Sequence, residues 1–202
     1  MSGYAHSAKR LSVAAAAALT PFAQAQAHSG TGLAGGFAAG FAHPFTGFDH
    51  LLAMICVGLW GAFLGRPLVY ALPVVFPAVM AGGAVVGMLG IPVCRIDIGI
   101  ALSVIALGGC IALALRAPVW LASAMTGLFA VFHGYAHGRE LPAAADPIGY
   151  SAGFVLATGL LHVCGIGIGC LNQRPGGIVV TRCLGAAIAG AGCWFLVVAV
   201  AL

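Results

Sequence analysis

The chain has 202 residues, 62% hydrophobic and only 6% charged, with a mean hydropathy of +1.10. Soluble domains carry about 25% charged residues, so the composition excludes a soluble protein and points to one all-α membrane domain. The net charge of +4 is scattered, without basic clusters interleaved with aromatics and without a phosphate-binding loop, which argues against nucleic acid as a partner and against an ATP site in this chain.

Residues 1–27 read as a cleaved signal peptide. Lys9 and Arg10 charge its front, Leu11 to Leu19 form a short apolar core, and Ala25-Gln26-Ala27 is a small-x-small cleavage site. Cleavage leaves His28 at the new N-terminus, where its α-amine and imidazole form a chelating pair. Taken alone, His28 reads as the start of a loose tail. From Ser29 to Phe41 the chain is rich in Gly and Ala, which suggests a closely packed lead-in, partly helical or re-entrant.

The stretch His43-Pro44-Phe45-Thr46-Gly47-Phe48-Asp49-His50 then sets two imidazoles and a carboxylate at the mouth of an apolar run. Thr46 followed three residues later by Asp49 fits a capping box, so a helix should begin there with Pro44 just outside it. Either polar residue alone reads as a cap or an interfacial side chain. Together, His43, Asp49 and His50 at the lip of a membrane helix read as a functional cluster.

Six apolar runs cover about 47–64, 68–90, 98–115, 119–135, 148–171 and 178–202, each near bilayer length. The expectation is a bundle of six transmembrane helices. Pro73 and Pro77 should kink the second, and Gly82-Gly83, Gly108-Gly109, Gly185, Gly190 and Gly192 mark close helix contacts. The seven cysteines lack CxxC spacing and read as small core residues. With the mature N-terminus outside, inner loops hold Arg66, Arg116, Arg174 and Arg182, and outer loops hold Arg95 and Arg139 beside Asp97, Glu140 and Asp146. That satisfies the positive-inside rule and returns the C-terminus to the outside.

A second polar cluster ends the fourth run. His133, His137 and Glu140 are spaced by four and three, so a helix through them stacks all three on one face. Two imidazoles at this spacing commonly hold a divalent transition metal. Gly134 stands where a metalloprotease carries its catalytic Glu, which favours holding a metal over activating water on it. Both clusters fall on the outer side, so the first and fourth spans should be neighbours around a shared cavity. Asp97, at the outer end of the third span, is either a further carboxylate of the site or a partner of Arg95. His162 lies 14 positions into the fifth run, where an ionisable group should face the bundle interior. It reads as a deeper station on a path or as a buried structural histidine. Met54 and Cys164 are soft side chains that could add to the set, although Met in an apolar helix usually packs.

The strings His43-Pro44-x-x-Gly47-x-Asp49-His50-x-x-x-Met54-x-x-Val57-Gly58 and His133-Gly134-x-x-His137-Gly138-x-Glu140, with the Leu161-His162 step, resemble the HupE/UreJ family over essentially the whole mature chain. That resemblance implies a membrane protein of hydrogenase or urease gene clusters that imports Ni²⁺, or Co²⁺, across the bacterial inner membrane without being an enzyme. The donor set by itself also suits Zn²⁺ or copper. Two alternatives stay open: a zinc-dependent lipid hydrolase embedded in the membrane, and an accessory protein that binds nickel without moving it. Oligomeric state is likewise open.

Overall fold

The computed structural model describes residues 33–140 and 146–201. All regular structure among them is helical. Helix α1 (Leu33–Ala42) leads through a 3-10 turn (His43–Phe45) into α2 (Phe48–Leu64). There follow α3 (Leu68–Met88), α4 (Ile96–Ala112), α5 (Val119–Glu140), α6 (Pro147–Gly169) with a 3-10 extension (Cys170–Gln173), and α7 (Gly177–Ala201). Each apolar run is thus a helix, as a chain in hydrocarbon must satisfy its backbone groups within itself. The leader and His28 lie outside the described residues.

The spans are less uniform than six equal runs suggest. Among the described residues, four helices are long and apolar enough to cross a membrane alone: Leu68–Met88, Val119–Glu140, Pro147–Gln173 and Gly177–Ala201. The segments Gly35–Phe45 and Phe48–Leu64 pass together but are bent by 79° at the break, which makes five if they count as one broken span. Helix α4, with 17 residues, is shorter. It reaches roughly 26 Å at 1.5 Å per residue, against a hydrocarbon core of about 30 Å. The protein is therefore a multi-pass membrane-type helical bundle, and its Gly-rich lead-in is helical from Leu33. Both Pro73 and Pro77 are accommodated inside the continuous helix α3.

Pairwise packing organises the bundle. Helix α5 lies along α3, α7 along α4, and both α1 and α2 along α6, while α2 also touches α3 and α4. Glycines set the closest approaches. A Cβ on Gly134 would run into the Met80 carbonyl and one on Gly138 into that of Ala84, so these two residues let α5 lie flush on α3. Gly58 and Gly165 do the same between α2 and α6, against the carbonyls of His162 and Ile55. Among the glycines expected at contacts, Gly83, Gly108, Gly185 and Gly192 face neighbouring backbone, whereas Gly82, Gly109 and Gly190 meet open space.

Trp60, Phe76, Met54, Leu59, Leu72 and Leu107 fill the interior. Met54 is a packing residue of this core. The outward faces are apolar as well, with Trp120, Val163, Val179 and Val197 exposed. Such continuous apolar cover is what lipid contact requires. The cysteines depart from the expected core placement: only Cys56 is buried, Cys110 is intermediate, and Cys94, Cys164, Cys170, Cys183 and Cys193 are exposed. Small and weakly polar, a thiol is tolerated on a lipid-facing surface as readily as inside.

Candidate metal centre

The break between α1 and α2 supplies the first candidate ligands. The Thr46 hydroxyl donates back to the His43 carbonyl at 2.7 Å, closing the 3-10 turn, and Gly47 is the N-cap of α2 with extended backbone. No capping box forms. Asp49 instead turns to its neighbour: its Oδ1 accepts from the His50 backbone N–H at 2.8 Å and lies 3.0 Å from the His50 Nδ1. The His50 imidazole has recruited the carboxylate that the sequence pattern assigned to the helix end.

Helix α5 runs unbroken through His133, His137 and Glu140, so the three do share a face. Glu140 Oε2 is 3.1 Å from His43 Nε2 and 3.9 Å from His137 Nδ1. His43, His137 and Glu140 each offer a ligand atom within 4.8 Å of the others, a spacing that can close on one ion. Glu140 is the wettest of the three at 56% side-chain exposure, His43 is at 27% and His137 at 8%.

Below this triad the imidazoles continue inward. The ring of His137 lies 4.9 Å from that of His43 and 4.5 Å from that of His50, and His50 in turn lies 4.5 Å from His133. Phe76 comes next, its ring 5.5 Å from His133 and 5.8 Å from His162. All five described histidines therefore form one file, from the rim to a residue 1% exposed in mid-helix.

Among the described residues, their hydrogen bonding is incomplete in a consistent way. His50 has Nδ1 on Asp49 and a bare Nε2; His133 has Nε2 on Ser103 and a bare Nδ1. His162 leans on the Pro73 carbonyl and leaves Nε2 bare, while neither nitrogen of His137 has a partner. That Pro73 carbonyl is available because Pro77, four residues on, has no N–H to donate to it. Buried polar atoms are normally paired, so unpaired nitrogens on four neighbouring buried or part-buried histidines mark these side chains as candidate metal ligands.

The helices bearing these groups are not the neighbours the sequence suggested. Between the backbones of α2 and α5 there is at most slight contact, and the imidazoles of His50, His133 and His137 bridge the gap. A cleft of about 290 Å³ between α3 and α6, lined by Met80, Ala84, Tyr150 and Phe154, opens onto His137. Asp97 is exposed in the first turn of α4; it joins neither the site nor an ion pair with Arg95 among the described residues. Cys164, two positions after His162, is turned roughly 200° away around the helix and lies on the exposed face. Ser103 escaped the sequence reading, and so did Thr158, a fully buried hydroxyl without a partner one turn before His162.

The HupE / UreJ protein family profile matches residues 15–195. The chain belongs to the HupE/UreJ family. Protein HupE of Rhizobium leguminosarum bv. viciae is 45% identical over 172 residues, spanning 85% of this chain and 90% of that protein. No solved structure matches. In this HupE/UreJ member one wall of the histidine file comes from the α1–α2 break and another from the end of α5.

Proposed function

We propose that this HupE/UreJ protein is an inner-membrane permease that imports Ni²⁺ for hydrogenase or urease maturation. The carrying observation is the file itself: four imidazoles, His43, His137, His50 and His133, neighbour one another ring to ring below the half-wet Glu140, and His162 follows beyond the ring of Phe76. In this reading His43, His137 and Glu140 capture the ion at the outer face. His50, held by Asp49, and His133 receive it, and His162 is the next station beyond Phe76. A cleaved leader, six spans counting α4 and the α1–α2 pair, periplasmic termini and a chelating His28 complete the arrangement.

Neutral imidazoles suit passage. They bind borderline divalent ions well enough to draw them in and weakly enough to release them, the balance a conduction path needs. No carboxylate accompanies His162 within α6, so downhill flow maintained by nickel consumption in the cytoplasm is the simplest energetics. The carboxylates also favour holding an ion over hydrolysis. A hydrolase needs one free to take a proton from a metal-bound water, whereas Asp49 and Glu140 are each occupied by an imidazole.

The deciding experiment is uptake into proteoliposomes. Entry of Ni²⁺ that is competed by Co²⁺ and less by Zn²⁺ supports the permease. Tight binding without flux would make the protein an accessory metal holder, and turnover of ester or amide lipids with one firmly held Zn²⁺ would make it a hydrolase.

A further inference from the structure

Ser103 lies on α4, away from both histidine motifs, and is fully buried. Its hydroxyl makes two short contacts, 2.6 Å to the Ile100 carbonyl and 2.8 Å to His133 Nε2. A hydroxyl has one proton to give. The carbonyl can only accept, and two oxygens at 2.6 Å need a proton between them, so the Ser103 proton goes to Ile100. The contact with His133 must then run the other way, with Nε2–H donating to the Ser103 oxygen.

From this geometry we infer that Ser103 is a positioning residue: it fixes His133 in the tautomer that carries its proton on Nε2 and presents a bare Nδ1 to the ion. The inference rests on reading the histidine file as a metal site. Its independent support is that Nδ1, the atom left over, is buried and without a hydrogen-bond partner among the described residues. The ring of His50 stands beside it with its own bare Nε2. Outer groups that accept the second N–H of a ligand histidine orient the ring and raise its basicity. Asp49 plays this part for His50 through Nδ1 and Ser103 plays it for His133 through Nε2, so opposite ring edges face the shared space.

The test uses the full chain, labelled with ¹⁵N-histidine, in lipid nanodiscs. Long-range ¹H–¹⁵N correlation without metal should show His133, assigned by its loss in His133→Gln, protonated at Nε2. Ser103→Ala should erase that preference and weaken Ni²⁺ binding about 10-fold, the low end for loss of an outer-shell partner. Ser103→Thr, which keeps a hydroxyl on the same Cβ, should restore both. A wild-type His133 protonated at Nδ1 would overturn the assignment even if Ser103→Ala failed to fold. So would a Ser103→Ala protein with unaltered tautomer and unaltered affinity. Liposome flux is read separately: its absence alongside the expected tautomer would remove the permease reading and leave Ser103 in place.

Discussion

The rings of His50 and His133 stand 4.5 Å apart although the helices that carry them barely touch. Helix α2 packs mainly on α6 and helix α5 on α3, and where α2 faces α5 the imidazoles span the gap between the backbones. Glycine contacts set the closest helix packing, and the imidazole rings lie apart from those contacts. In the permease reading, a seam lined by polar rings in an otherwise apolar bundle is where a hydrated ion loses its water stepwise to protein ligands.

His137→Ala should weaken Ni²⁺ capture by at least about 10-fold, because losing a direct ligand costs no less than losing an outer-shell partner. Titration calorimetry on the detergent-solubilised protein reads the affinity, and thermal unfolding should move little. An equal fall in folded protein and in binding would assign His137 to packing instead.

Asp49 offers a finer distinction. Its Oδ1 accepts from both the backbone and the ring of His50. Asp49→Asn keeps an accepting oxygen and should retain most of the affinity, while Asp49→Ala releases the ring and should cost about 10-fold. If the Asn variant binds no better than the Ala variant, the carboxylate charge is the essential feature, and Asp49 acts on the ion directly.

Gly134 and Gly159 separate packing from function. A Cβ at Gly134 meets the Met80 carbonyl, whereas one at Gly159 meets open space. Gly134→Ala should destabilise by about 1–3 kcal/mol, the usual cost of overpacking. Gly159→Ala should be neutral or slightly stabilising, because Ala is the better helix former. Chemical denaturation in matched detergent compares them, and equal stabilities would mean that α5 does not lie flush on α3.

Much of this was legible in the chain, and the misses share a cause. Helix positions followed from hydropathy, because lipid leaves the backbone no alternative to helix. The His133, His137 and Glu140 face followed from helical spacing alone. What the spacing could not disclose was any choice between local and tertiary partners. Thr46 and Asp49 have the capping pattern, yet the nearest imidazole took the carboxylate. Ser103 is one hydroxyl in an apolar run, and its meaning lies 30 residues away. Gly134 read as a missing catalytic Glu, although its place is set by the Met80 carbonyl on another helix. Cys164 followed His162 closely in sequence, and helical rotation put it on the opposite side.

His162 decides between a site and a path. Outer ligands account for capture, but an ion crossing roughly 30 Å of hydrocarbon needs partners further in. His162 is 1% exposed, has a bare Nε2, and is separated from His133 by the single ring of Phe76, in contact with both. The phenyl ring offers an ion no ligand, so passage from His133 to His162 requires Phe76 to swing aside, and flux should depend on both residues. His162→Ala should leave Ni²⁺ affinity at the outer triad nearly unchanged and reduce flux at least 10-fold, whereas His137→Ala should lower both. A merely structural His162 predicts a different pattern: burial of an imidazole against the Pro73 carbonyl would show up as lost stability, with flux falling only in proportion to folded protein. Parallel measurement of Ni²⁺ affinity, liposome flux and melting temperature on the two variants resolves these patterns. A stable His162→Ala protein that transports at the full wild-type rate would end the path through Phe76 and redirect attention to the cleft between α3 and α6 that opens onto His137.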